Sequence, residues 1–229
     1  MTSWIGKALG SSLGRKYLVA ASGLLLVGFL VAHLLGNLNL LVDTTGGKFN
    51  QYAHFLETNP LLPVAEIGLA ALFVLHVGMA ITVTYKNKHA RASRYAVAGD
   101  KGKRTLASSS MIVTGLVVLV FLIIHLVDFR FTKDTAEAVA RYGSNREMFD
   151  LASMVRARLA SPVGATIYLI AVLVLGVHLT HAIRSAAQSL GVNHPNLNTL
   201  IVRGGIALAI LLTLGFASFP IYYMFQGAH

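Results

Sequence analysis

Polar and apolar positions along the 229-residue chain alternate in long blocks rather than in a two- or three-residue rhythm. Five apolar runs stand out, at residues 17–41, 61–85, 106–131, 163–183 and 200–225. Each reaches or exceeds the ~20 residues that a helix needs to cross a hydrocarbon core at 1.5 Å per residue. In lipid only helices and closed barrels satisfy every backbone group, and barrel strands would alternate apolar and polar, as these runs do not. The pattern predicts an all-α membrane protein: one domain over residues 1–229, a bundle of five transmembrane helices with almost no soluble mass. Met148–Leu159, in the long connection at 132–162, is expected to form a short helix on the membrane surface. The first run is longer than a signal-peptide core and lacks a clear small-x-small exit, so it is read as a retained span. No internal repeat or low-complexity segment stands out.

Composition agrees with the pattern. Hydrophobic residues make up 55% and charged residues only 12%, against roughly 25% charged in a soluble domain. The net charge of +10 is unevenly spread. The N-terminus, the connections at the same side of the bundle and Arg203 hold twelve Lys and Arg against the single acid Asp100. The opposite side holds seven basic residues balanced by seven acids. The positive-inside rule therefore puts the N-terminus in the cytoplasm and the C-terminus outside, in a multi-pass protein of the inner (cytoplasmic) membrane. The rule accounts for the basic excess, so no nucleic-acid partner is inferred. The chain has no cysteine. That excludes disulfides, iron–sulfur ligation by this chain and covalent haem attachment, so any haem is b-type.

Each of the first four apolar runs is interrupted by a histidine, His33, His76, His125 and His178 in turn, the fourth run also holding His181. An ionisable group in hydrocarbon costs several kcal/mol unless it has a partner. A single histidine there can serve as a hydrogen-bond donor between helices; four on successive spans suit two pairs of axial haem ligands. Topology sorts them by depth. His33 and His125 lie roughly 26 and 32 Å from the inner surface, and His76 and His178 roughly 15 and 9 Å, counted from flanking basic residues at the helical rise. His33 and His125 thus form an outer pair of haem-iron ligands, and His76 and His178 an inner pair. His181, three residues after His178 on the same face, is an alternative fourth ligand. A metal transporter or proton relay would add acids at these depths, and Glu66 is the only acid well within a span. Glu66, expected to be buried with a raised pKa, is the candidate proton-handling residue of a quinone site with His54, Glu57 and Tyr52 nearby. Gly23, Gly28, Gly115 and Gly176 precede the histidines and would let a porphyrin or a neighbouring helix lie close.

Four stretches carry a resemblance: SGLLLVGFLVAHLLGNLNLL around His33, FNQYAHFLETNPLLPVAEIGL leading to LHVGMA at His76, FLIIHLVDFRF at His125 and GVHLTHAIRSAAQSLGVNHP at His178. In their order, spacing and helix count they resemble the single-chain, five-helix, di-haem cytochrome b anchor of succinate:quinone oxidoreductases, the succinate dehydrogenase and fumarate reductase group. The resemblance implies two haem b groups, one held by the first and third spans and one by the second and fourth, with His178 rather than His181 as the fourth ligand. It further implies a membrane quinone (menaquinone) as substrate, and two partners: a flavoprotein carrying FAD and an iron–sulfur protein. The basic connection at 86–104 is an expected docking surface for them. The competing readings are a di-haem anchor of a hydrogenase or formate dehydrogenase, and a transporter or structural anchor without cofactor.

Overall fold

The computed structural model describes residues 10–89, 106–143, 148–192 and 195–226. The basic stretch at 90–105, expected to dock partners, lies outside them, as do His194 and His229. The described residues form nine α-helices and no strand. The long helices are α1 (Ser12–Asn37), α4 (Leu62–His89), α5 (Leu106–His125), α8 (Pro162–Ser189) and α9 (Pro195–Gln226). Short helices lie between them: α2 (Asn39–Val42), α3 (Gly47–Glu57), α6 (Ala136–Tyr142) and α7 (Leu151–Ala160). Five segments are long and apolar enough to cross a membrane: Ser12–Val42, Leu62–Asn87, Ser110–Phe131, Pro162–Ser189 and Leu197–Gln226. They overlap the five runs expected from sequence, with ends that differ by up to six residues, and they make this a multi-pass membrane protein. Outward faces carry side chains such as Leu25, Ile67, Val74 and Leu214, all more than 60% exposed, as lipid-facing surface would be.

Helix starts follow local chemistry. Ser11 caps α1 by accepting from the Gly14 N–H at 3.0 Å. Ser161 caps α8 in the same way through Gly164 at 3.1 Å, with Pro162 in the first turn. Such caps satisfy backbone donors that the helix itself leaves open. Directly after His125 the chain widens into a π-helical turn, Leu126–Phe131. Such turns are rare and recur at functional sites.

Packing defines a ring. Helix α1 packs on α4 and α8, α5 packs on α8, and α4 and α5 meet less extensively. The pairs α1/α5 and α4/α8 make no extensive contact among the described residues, so they are the two diagonals of a four-helix bundle. Helix α9 covers α8 and touches α1 and α7. The core continues into one end of the bundle, where Leu40, Phe49, Val155, Leu159, Tyr168 and Tyr223 are buried together. This corrects the expected surface helix at 148–159. Helix α7 spans 151–160 and buries Ala152, Met154, Val155 and Leu159. Ala152, Val155 and Leu159 share one face at helical spacing, and that face closes the bundle end instead of lying on lipid.

Candidate functional site

His76 on α4 and His178 on α8 occupy one diagonal, within electrostatic reach of each other. Each ring is fastened by the helix beside it. Ser22 Oγ of α1 stands 3.1 Å from His76 Nδ1, and Thr114 Oγ1 of α5 stands 3.1 Å from His178 Nδ1. A hydroxyl has one proton to give. Ser22 donates its proton to the Leu18 carbonyl at 2.6 Å. Thr114 directs its own at the Ser110 and Met111 carbonyls, each at 3.1 Å. Both hydroxyls can therefore only accept from the rings. The Val19 and Met111 carbonyls, acceptors by nature, also lie within hydrogen-bonding reach of the His76 and His178 rings. The network thus assigns the proton to Nδ1 in both histidines. Each Nε2 is left as a bare lone pair, the form in which imidazole binds a metal ion. A glycine underlies each ring: a Cβ at Gly23 would come 3.0 Å from His76 Cε1, and one at Gly115 3.4 Å from His178 Cε1.

His33 of α1 and His125 of α5 occupy the other diagonal, with ring centres 5.8 Å apart at 89°. Two imidazoles that each place a nitrogen about 2 Å from one metal ion leave their centres about 6 Å apart. Aromatic rings hold this pair. Phe29 stacks on His33 at 5.4 Å, and Phe216 of α9 approaches it at 5.9 Å. Phe121 and Phe129 lie 5.9 and 5.4 Å from His125. The π-helical turn supplies Phe129 and also Asp128, which accepts from Arg158 Nε at 2.8 Å and from the Tyr168 hydroxyl at 2.9 Å. Among the described residues His125 Nδ1 is buried without a hydrogen-bond partner, and so is Nη2 of Arg156, a residue only 8% exposed.

The matched seats of His76 and His178 reflect a repeat in the chain, which overturns the expectation of none. SGLLLVGFLVAHL at 22–34 aligns with TGLVVLVFLIIHL at 114–126. Ser22 and Thr114, Gly23 and Gly115, Phe29 and Phe121, and His33 and His125 are each 92 residues apart. His76 and His178 are 102 apart, each followed by Ala and Ile at the fourth and fifth positions. Helices α1–α4 and α5–α8 are thus two versions of one hairpin, and each diagonal joins equivalent helices. In both α1 and α5 the hydroxyl precedes the histidine by eleven residues, about 16 Å of helix. The two layers are therefore about 16 Å apart on either side of the bundle by the same rise. Ser22 and Thr114 were not singled out from sequence. The Ser/Thr-Gly pair recurring eleven residues before each histidine was the available signal.

The other candidates are distributed as follows. The Thr114–Gly115 seat holds His178; His181 lies beside it and near Arg184. Glu66 is not the solitary buried acid expected from its place in the run. It is 39% exposed and accepts from Arg130 Nε at 2.8 Å and Nη2 at 3.1 Å, and Arg130 also pairs with Asp134 at 3.4 Å. Glu57 is paired with Lys133. These pairs tie the end of α3 and the start of α4 to the π-helical turn and the residues just after it. Tyr52 packs its ring over Gly36, where a Cβ would lie 2.6 Å from it. A shallow groove lined by Arg184, Asn198, Thr199, Val202 and Arg203 lies toward the other end of α8 and α9. Among the described residues no three His, Cys, Asp or Glu side chains gather as a bare metal site would require; paired imidazoles are a different arrangement. No family model matches the chain, nor does any curated protein or solved structure.

Proposed function

We propose that this chain is a di-haem cytochrome b, the membrane anchor of a succinate:quinone oxidoreductase. What carries the reading is the donor set: two pairs of imidazoles on the diagonals of one bundle, one pair with each Nδ1 against a hydroxyl and the other at the spacing of two ligands to one ion. A haem bound at each pair would supply one-electron carriage between partner and quinone. This chain's residues would do the rest. His76 and His178 ligate through Nε2, and Gly23 and Gly115 give the rings room. Phe29, Phe121, Phe129 and Phe216 keep water from the second pair. Buried Arg156, whose Nη2 is without a hydrogen-bond partner among the described residues, has its side chain near Tyr223, seven residues beyond Phe216 on α9, about 10 Å along the helix. An anionic propionate would complete its hydrogen bonding.

In this reading the N-terminus faces the cytoplasm and the C-terminus the outside of the inner membrane, with a flavoprotein and an iron–sulfur protein docked on the cytoplasmic face. The quinone, menaquinone by resemblance, would enter where α4 and α5 part. There Glu66 would hold or release the proton of a quinone oxygen, with Arg130 offsetting its charge. The test is a pyridine haemochrome assay on purified protein: about two haems per chain are expected from the two pairs. A haem content of zero overturns the cytochrome reading. Gentle solubilisation should recover the flavoprotein; a nickel or molybdenum enzyme in its place would assign the chain to a hydrogenase or formate dehydrogenase.

A further inference from the structure

We infer that Ser22 and Thr114 are positioning residues for the haem held by His76 and His178, and that they set its potential through the histidine Nδ1 protons; this rests on the haem reading above. The geometry supplies three independent supports. Both hydroxyls stand 3.1 Å from an Nδ1, on helices that do not carry the histidines. Both spend their own proton on carbonyls one turn back, which leaves only their lone pairs for the ring. Both sit directly before the glycine that the ring packs against. Helix packing alone would not need all three to recur at the same register in both halves of the chain.

The chemical consequence has a sign. An imidazole that donates its Nδ1–H to an acceptor is a richer donor through Nε2, and it favours the ferric over the ferrous state of a bound iron. Removing the acceptor makes the ligand poorer and raises the potential. The carbonyls of Val19 and Met111 near the same rings would soften the change without abolishing it. The bond also fixes the rotation of each ring about its Cβ–Cγ bond, hence the angle between the two ligand planes. In the other layer Phe29 and Phe121, each four residues before a histidine on its own helix, lie against the rings instead, so the effect belongs to one haem of the two.

The experiment is redox titration and low-temperature electron paramagnetic resonance of the intact protein carrying Ser22→Ala, Thr114→Val or both. Haem content is measured first in the wild type. If it is zero, the haem reading itself has failed; the inference is tested only on protein that binds two. Expected is an upward shift of one midpoint potential in each single variant and a larger shift in the double variant. The g-values of the same component should move, and the other component should keep both properties. Ser22→Thr and Thr114→Ser should restore wild-type values, which a purely steric role at these positions would not predict. Selective loss of that one haem also supports the inference. Unchanged potentials and g-values in the double variant, or equal disturbance of both haems, would overturn it.

Discussion

The two histidine pairs are built from the same duplicated hairpin yet held by different forces. At His76 and His178 directional hydrogen bonds fix each ring. At His33 and His125 aromatic contacts do so, and His125 Nδ1 goes without a partner, at a cost of about 1–3 kcal/mol for an unsatisfied buried group. The difference follows from register. On α1 and α5 the hydroxyl and the histidine are eleven residues apart, so each helix gives a ligand to one layer and a fastening to the other. A hydrogen bond sets an angle closely and breaks with a single atom; a ring of aromatics tolerates substitution and defines the angle loosely. The two layers should therefore fail differently.

The largest effect comes from the ligands themselves. His76→Ala and His178→Ala should each remove one spectral component, the same one, and His33→Ala and His125→Ala the other. Haem content should fall from about two to about one in each case by the pairing. Reduced-minus-oxidised spectra with a haemochrome assay check this. If His33→Ala and His76→Ala erased the same component, the division into two layers would be wrong.

Next in size are the glycines, and here the two halves of the repeat should differ. A methyl at Gly23 meets His76 at 3.0 Å, tighter than ordinary contact, whereas one at Gly115 meets His178 at 3.4 Å. Overpacking a well-filled site costs about 1–3 kcal/mol. Gly23→Ala should lower the occupancy of one haem and the melting temperature, while Gly115→Ala stays close to wild type. Equal effects of the two substitutions would mean that the crowding at Gly23 is relieved by a small ring movement.

These contrasts mark how far the sequence could be read. The five spans were legible because twenty apolar residues in a row have few other uses, and the layers because an imidazole in hydrocarbon demands explanation. Ser22 and Thr114 were not, since a hydroxyl in a span can always bond its own helix, and both do. The repeat was masked by interchange of Leu, Val and Ile, which preserves hydropathy and erases identity. The true setting of Glu66 depends on Arg130, 64 residues away, and no local pattern carries that information. Helix α7 was anticipated near its place but assigned to the lipid surface, because its buried stripe reads equally well as a membrane-facing one.

Glu66→Gln should keep both haems and electron transfer from succinate to an artificial dye while losing most quinone-linked activity. The ion pair adds a companion: Arg130→Gln should show the same selective loss, because it leaves the carboxylate without its counter-charge. The deficit should follow the His33/His125 layer, since the π-helical turn carries Arg130 five residues after His125. Full quinone activity in both variants would move the search to the Arg184–Arg203 groove at the opposite end.

The smallest effect is a pH dependence confined to one end of the bundle. Asp150 caps α7 by accepting from the Ser153 N–H at 3.1 Å and hydroxyl at 2.7 Å, and from Asn50 of α3 at 2.8 Å. Partial burial pushes its carboxyl up, but the bonds from Ser153 and Asn50 and the charge of Arg156 outweigh this and hold it below the usual value. A depressed folded pKa contributes stability that is complete above the unfolded value, about 3.9, and that disappears as pH falls through the lower folded one. Acid should therefore loosen α7 and α3 first. That end also carries Arg158, bonded to Asp128 beside the π-helical turn, so the disturbance should reach the His33/His125 layer before the other. Hydrogen exchange of residues 148–160, followed from pH 5 to pH 3 in detergent and corrected for the intrinsic exchange rate at each pH, should lose protection in the wild type and keep it nearly constant in Asp150→Asn, whose amide cannot lose a charge. A loss of protection of equal size in both proteins would remove Asp150 from the acid response and with it the expectation that the aromatic-held layer is the first to feel low pH.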